Sequence, residues 1–255
     1  MPDAPAIWIM GASDGIGAAV ARAYAARGAR LILSARSPGP LAALAAELGA
    51  TALPCDTADA EGLAQVAAQV GPIDRAITLA ALYDPGAAMQ ADPARAAQIV
   101  TTNLTGSLLF AQAAVPLLRP GGQLALTGSV AGYVGLPQGQ IYSATKAGVI
   151  NLAETLRAEL WPRVDVRLIC PGFVATRMTA RNDFDMPGLM TPEAAANRIV
   201  AGLDRRGFEV HFPRRLTWPL KILRALPYGA ALALTRRLTR RLTRDAARTS
   251  GKEPS

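Results

Sequence analysis

An apolar run, Ala6-Ile7-Trp8-Ile9-Met10, leads directly into Gly11-Ala12-Ser13-Asp14-Gly15-Ile16-Gly17, and an alanine-rich stretch follows that stops at Gly28. This order leaves few folds available. Five apolar residues in succession read as a strand buried on both faces, the pattern of a parallel sheet. Ile16 to Arg27 reads as a helix with Gly28 as its stop signal. Strand, glycine turn and helix N-terminus together make an anion site, because free N–H groups and the helix dipole face one point. Glycine serves where the backbone turns sharply and where a side chain would collide with a bound pyrophosphate. Gly11, Ser13, Asp14, Gly15, Ile16 and Gly17 are the candidate contacts of such a group.

The strand–helix alternation continues along the chain. Strands are expected at Arg30–Ser34, Thr51–Pro54, Ile73–Leu79, Gln123–Thr127, Val164–Cys170 and Phe208–Phe212. Helices are expected at Leu41–Leu48 and Ala58–Val70, after the N-cap pair Asp92-Pro93, around Tyr142 and Lys146, and from Thr191-Pro192-Glu193. Repeated crossovers of this kind predict an α/β fold: a doubly wound parallel sheet with helices on both faces. A chain of 255 residues, 51% apolar and 18% charged, suits one such domain around a single sheet.

Composition narrows the chemistry. His211 is the sole histidine, which excludes histidine-based triads and multi-histidine metal sites. Cys55 and Cys170 have neither metal nor disulfide spacing and fit core thiols, so no metal is expected. With the first strand starting near residue 6, no signal peptide is expected, and no apolar run reaches membrane-spanning length. A cytoplasmic location is the expectation.

What remains is Tyr142-Ser143-Ala144-Thr145-Lys146, with Ser129 upstream at the end of a strand. Residues four apart share a helix face, so the Tyr142 phenol and the Lys146 ammonium address one site. A phenol with a pKa of about 10 is a poor acid or base near neutrality, and a neighbouring cation is expected to lower it. Ser129 is positioned to bond the same substrate oxygen. Proton donor, pKa tuner and carbonyl polariser suit the reversible reduction of a C=O group.

Together, the G-x-x-x-G-x-G turn and the Tyr-x-x-x-Lys pair resemble the short-chain dehydrogenase/reductase family, from about Ala6 to about Phe212. The resemblance implies a Rossmann-like domain over 1–212; beyond it, residues 213–255 read as a basic amphipathic C-terminal extension. It implies catalytic roles for Ser129, Tyr142 and Lys146, with Asn103 matching the asparagine of the family's central helix and holding a proton-relay water. Tyr142 and Lys146 also count as cofactor contacts, with Lys146 on the ribose. Pro171, Gly172, Val174 and Thr176 match the segment that closes over the nicotinamide, and Asp56 matches an adenine-contacting aspartate. One departure stands out: Thr78-Leu79-Ala80-Ala81 replaces the family's Asn-Asn-Ala-Gly, leaving Ala80 as the matching cofactor contact there. Homo-oligomers are common in the family and are the expectation.

Cofactor choice is set where the second strand ends. An acidic residue there favours NAD, a basic one NADP. The strand ends Leu33-Ser34-Ala35-Arg36, so the Arg36 guanidinium suits a 2′-phosphate and NADP is expected, with NAD the alternative. The expected activity is interconversion of a carbonyl and a secondary alcohol. Alternatives are a 3-oxoacyl thioester reductase serving an acidic carrier protein, or a cofactor-binding sensor or scaffold without turnover.

The substrate side is marked by Arg177 to Met190, where Met178, Phe184, Met186, Leu189 and Met190 suit a hydrophobic substrate or the packing of a lid. Arg177 and Arg181 are open to two readings, an anionic substrate group or solvent. Residues 1–204 hold 14 Lys/Arg and 16 Asp/Glu, whereas residues 205–255 hold 13 and 3, so a body at −2 and a tail at +10 make up the net charge of +8. Leu234, Leu238 and Leu242 recur every fourth residue among Arg236, Arg237, Arg240, Arg241 and Arg244. This pattern suits peripheral contact with an anionic membrane surface, a helix docked on the body, a subunit contact or a solvated terminus. Nucleic acid is not expected, because the arginines form no continuous stripe and no binding motif accompanies them.

Overall fold

Alternate residues of the first strand, β1 (Ala6–Met10), enter opposite cores: Ile7 and Ile9 on one face, Ala6, Trp8 and Met10 on the other. All five are buried, so the strand stands in the middle of a sheet covered on both sides. In a computed structural model, which describes residues 4–135, 138–182 and 185–237, seven parallel strands run in the order β3-β2-β1-β4-β5-β6-β7. These are β2 (Arg30–Ser34), β3 (Thr51–Ala52), β4 (Ile73–Thr78), β5 (Leu118–Thr127), β6 (Asp165–Pro171) and β7 (Glu209–Phe212). The doubly wound sheet expected from the crossovers is therefore present.

Helices α1 (Gly15–Ala25), α2 (Pro38–Leu48) and α7 (Pro192–Leu203) cover the Ile7/Ile9 face. The other face carries α3 (Ala60–Val70), α5 (Gly106–Ala114) and α6 (Gln140–Leu160). Trp8 meets Phe110 there edge-on, with ring centroids 4.8 Å apart. Asp92 caps α4 (Pro93–Val100) as expected, its Oδ1 accepting from Arg95 N at 2.7 Å. The helix does not run straight on into α5: a π-helical turn at Thr101–Thr105 intervenes and buries Thr102 and Asn103.

Strand order reverses between β1 and β4. In open α/β sheets a ligand crevice forms beyond the carboxyl ends of the strands at this reversal, and the ends of β1, β4, β5 and β6 bring Gly11, Leu79, Ser129 and Gly172 there. The boundary at 212/213 falls between β7 and α8 (Arg214–Ala225). The latter is a docked helix: Thr217 and Leu223 are buried, His211 Nδ1 lies 2.7 Å from Thr217 Oγ1, and Lys221 pairs with Glu209. Helix continues over 228–237. Leu238, Arg240, Arg241, Leu242 and Arg244 lie outside the described residues. Among the described residues, no helix is long and apolar enough to cross a membrane.

Candidate active site

The turn after β1 is held by close backbone approaches. Gly11 has φ +85°, and a Cβ on it would lie 2.4 Å from the Ala80 nitrogen; one on Gly17 would lie 2.0 Å from the Gly11 carbonyl oxygen. Only glycine leaves room in this packing. Asp14 stands at the N-cap of α1 but makes no side-chain cap bond. Its carboxylate instead accepts from Arg177 Nε at 2.5 Å, tying the turn to the segment after β6.

A cleft of about 320 Å³ extends from this turn to Tyr142. It is lined by Gly11, Ser13, Asp14, Gly15, Ile16, Gly17, Arg36, Ala80, Tyr142, Lys146, Pro171, Gly172, Val174 and Thr176. These are all the expected cofactor contacts except Asp56. The Asp56 carboxylate accepts from Ala58 N at 2.9 Å, and its other oxygen stands 3.9 Å from Arg36 Nε. Its neighbours Cys55 and Thr57 line the cleft.

Ser129, Tyr142 and Lys146 meet at the far end. Ser129 begins a short 3₁₀ turn, its Oγ accepting from Ala131 N at 3.2 Å. That turn fits against α6 so closely that a Cβ on Gly132 would lie 2.6 Å from the Lys146 carbonyl carbon. Tyr142 is half-buried, while Lys146 is only 2% exposed. The Lys146 ammonium donates to the Thr127 carbonyl at 2.8 Å, and among the described residues it pairs with no carboxylate.

The electrostatics differ from the sequence expectation. Burial pushes the Tyr142 phenol up to about 12, with Ser129 pulling the other way and Tyr83 adding to the rise. Burial also pulls Lys146 down to about 8. Within the polypeptide, desolvation outweighs the lowering expected from Lys146, whose Nζ stands 5.7 Å from the Tyr142 ring centroid.

Asn103 does not line the cleft; its neighbour Thr102 does. Asn103 is fully buried, with Oδ1 accepting from Leu82 N at 2.7 Å and Nδ2 donating to Leu82 O at 2.9 Å and Thr145 Oγ1 at 3.1 Å. Its side chain braces the chain after β4 against α6, and both of its amide protons are engaged in that bracing. The bracing matters here because Leu79, in place of a family asparagine, is apolar and packs with the core.

Arg181 stands 3.5 Å from Asp84, and Arg177 is paired with Asp14, so both arginines already face carboxylates. Met178 and Thr179 line the cleft, and Met190 pairs with Val174 in a short bridge. Phe184 lies outside the described residues. Sequence reasoning missed Thr102 and Tyr83. The Tyr83 ring meets Tyr142 edge-on with centroids 4.9 Å apart, and nothing in the sequence pattern marks that approach.

The residues suit a dinucleotide: a glycine turn without room for side chains at one end, and at the other the buried Lys146 cation, which among the described residues has no counter-ion. Comparisons with known proteins agree. The family model for the short chain dehydrogenases matches residues 5–186. An uncharacterized oxidoreductase of Myxococcus xanthus is 34% identical over 242 residues, covering 90% of this chain and 96% of that protein. The ketoacyl reductase HetN of a Nostoc species is 32% identical over 220 residues, covering 80% and 77%. A solved short chain dehydrogenase from Burkholderia cenocepacia, in complex with NADP, superposes with a TM-score of 0.80 at 27% identity, over 92% of this chain and 98% of that one. The chain belongs to the short-chain dehydrogenase/reductase family.

Proposed function

We propose that this oxidoreductase uses NADP to interconvert a carbonyl and a secondary alcohol on a hydrophobic substrate. The observation that carries the reading is the meeting of Ser129, Tyr142 and Lys146 at one end of a cleft whose other end is the glycine turn. The cofactor supplies the hydride when bound. Tyr142 delivers the proton to the substrate oxygen, Ser129 holds that oxygen, and Lys146 bonds the ribose and stabilises negative charge on the phenol. Gly11 to Gly17 receive the pyrophosphate, and Arg36 receives the 2′-phosphate that distinguishes NADP. Solved neighbours in complex with NADPH, NADP or NAD support an NADP reading with NAD as the alternative.

The test is Tyr142→Phe. It should bind NADPH with a dissociation constant within about twofold of wild type, while turnover falls by about 10²–10⁴. An active phenylalanine variant rules the mechanism out.

A 3-oxoacyl thioester is the second substrate reading, supported by the resemblance to a ketoacyl reductase. Two further features of the proposal concern partners. A homo-oligomer follows the habit of the family. Peripheral contact of this cytoplasmic enzyme with an anionic membrane is supported by exposed Trp218, Ile222, Tyr228, Leu232 and Leu234 beside Arg214, Arg215, Arg224, Arg236 and Arg237. Co-sedimentation with phosphatidylserine vesicles should be lost when the chain ends at Arg215, in a variant that still binds NADPH; equal binding dismisses the contact.

A further inference from the structure

The chain after β4 touches three parts of the site at once. Leu82 is gripped by Asn103 through both main-chain groups. Pro85 and Gly86 lie against the start of α6, where Gln140 Nε2 donates to the Pro85 carbonyl at 3.1 Å and Gly86 N donates to Gln138 O at 3.2 Å. Between them, Tyr83 donates its hydroxyl to Asn182 Oδ1 at 2.7 Å, and Asn182 Nδ2 lies 3.2 Å from Met186 Sδ. Asp84 faces Arg181 on the same segment.

With its hydroxyl bonded to Asn182, Tyr83 meets the Tyr142 ring with centroids 4.9 Å apart and ring planes at 76°. A carbonyl oxygen that takes the Tyr142 proton must come within about 3 Å of the phenol. Tyr83 lies beyond the residues that line the cleft, but its ring borders the Tyr142 ring, so substituents on that side of the reacting carbon meet it. We propose that Tyr83 is a specificity-determining residue, a wall that admits apolar carbonyls narrow at the reacting carbon and disfavours those extended on both sides. This rests on the carbonyl-reductase reading. The bond to Asn182 fixes the wall, and the edge contact fixes the Tyr142 ring. Asn103 holds the adjacent Leu82 main chain through two hydrogen bonds.

The test uses three isomers that differ only in where the carbonyl lies: octanal, 2-octanone and 4-octanone, with NADPH and the full-length protein. Wild type should show kcat/KM falling in that order. Tyr83→Ala should raise the 4-octanone to 2-octanone ratio by about tenfold, the scale on which an apolar pocket discriminates substrates by size. Tyr83→Phe, which keeps the ring and loses only the bond to Asn182, should raise the same ratio by no more than about threefold, the scale of one hydrogen bond. Tyr83→Leu is the substitute if the alanine variant does not fold. An unchanged ratio in a folded, NADPH-binding variant overturns the inference. Wild-type turnover of an acetoacetyl thioester, abolished by Tyr142→Phe, together with no turnover of octanal or 2-octanone, also overturns it and leaves the reductase reading standing. No turnover of any carbonyl sinks the reductase reading as well.

Discussion

Lys146 and Tyr142 stand one helical turn apart, yet the Lys146 ammonium donates to the Thr127 carbonyl at 2.8 Å and lies 5.7 Å from the Tyr142 ring centroid. The two groups respond to burial in opposite directions, the phenol upward and the ammonium downward. Each shift favours its neutral form. A protonated Tyr142 is what carbonyl reduction needs, whereas alcohol oxidation needs the phenolate. Reduction should therefore vary little between pH 6 and 8, while alcohol oxidation climbs with pH through the alkaline range. An oxidation rate that is flat from pH 6 upward contradicts this.

Replacing Lys146 by Met should abolish turnover and stabilise the fold. The Lys146 pKa of about 8 lies below its unfolded value of 10.5, so between these the unfolded chain binds more protons. Wild-type stability then rises with pH across that window, and the full cost of the buried charge is present below it. Thermal unfolding at pH 7 should favour Lys146→Met by about 1–2 kcal/mol, after allowance for the lost bond to Thr127. The gap should narrow above pH 8. A lower melting temperature for the variant at pH 7 contradicts the assignment.

Gly17→Ala should weaken NADPH binding by at least about tenfold and lower the melting temperature, because its Cβ would lie 2.0 Å from the Gly11 carbonyl oxygen. Gly39→Ala is the control, since nothing lies within 4 Å of its Cβ. It should be neutral or slightly stabilising in the same titration. Equal losses in both would show that the turn's close packing has no special role.

Arg36 is half-exposed and only 3.9 Å from Asp56, too loosely paired to be occupied by it. Arg36→Asp should raise the KM for NADPH by about ten- to a hundredfold more than that for NADH, the scale of one to two charge-assisted bonds. Steady-state kinetics with both cofactors reads this directly, and parallel changes refute the phosphate contact.

Asn103→Ala removes three hydrogen bonds and leaves the part-buried Leu82 main chain without its Asn103 partners. A loss of about 2–4 kcal/mol is expected in denaturant unfolding. Turnover should fall with NADPH affinity largely kept, because Asn103 lies off the cleft. A stable variant without NADPH binding would place the residue in the wrong role.

The glycine turn, the sheet's crossovers and the Tyr142–Lys146 pair were legible in the sequence because each depends on local spacing: a turn, a strand–helix period, one helical turn. Contacts made by distant segments were not. Tyr83 reaches Asn182 across 99 residues, and Asp14 reaches Arg177 across 163. The sequence offered Arg177 and Arg181 to substrate or solvent, whereas folding sets each opposite a carboxylate. Similarly, the basic composition of the C-terminal extension conceals that Lys221 is tied to Glu209 on β7. The phenol's pKa was misjudged for a related reason: helical spacing reveals which groups are close, but burial sets their charge.

Carbonyl reduction through Tyr142 is put to the sharpest test by following NADPH and NADH oxidation with hydrophobic ketones, aldehydes and acyl thioesters, beside Tyr142→Phe. Wild type should turn over with NADPH preferred, and the variant should not, despite intact cofactor binding. Cofactor binding by wild type without turnover of any carbonyl would contradict the proposed chemistry.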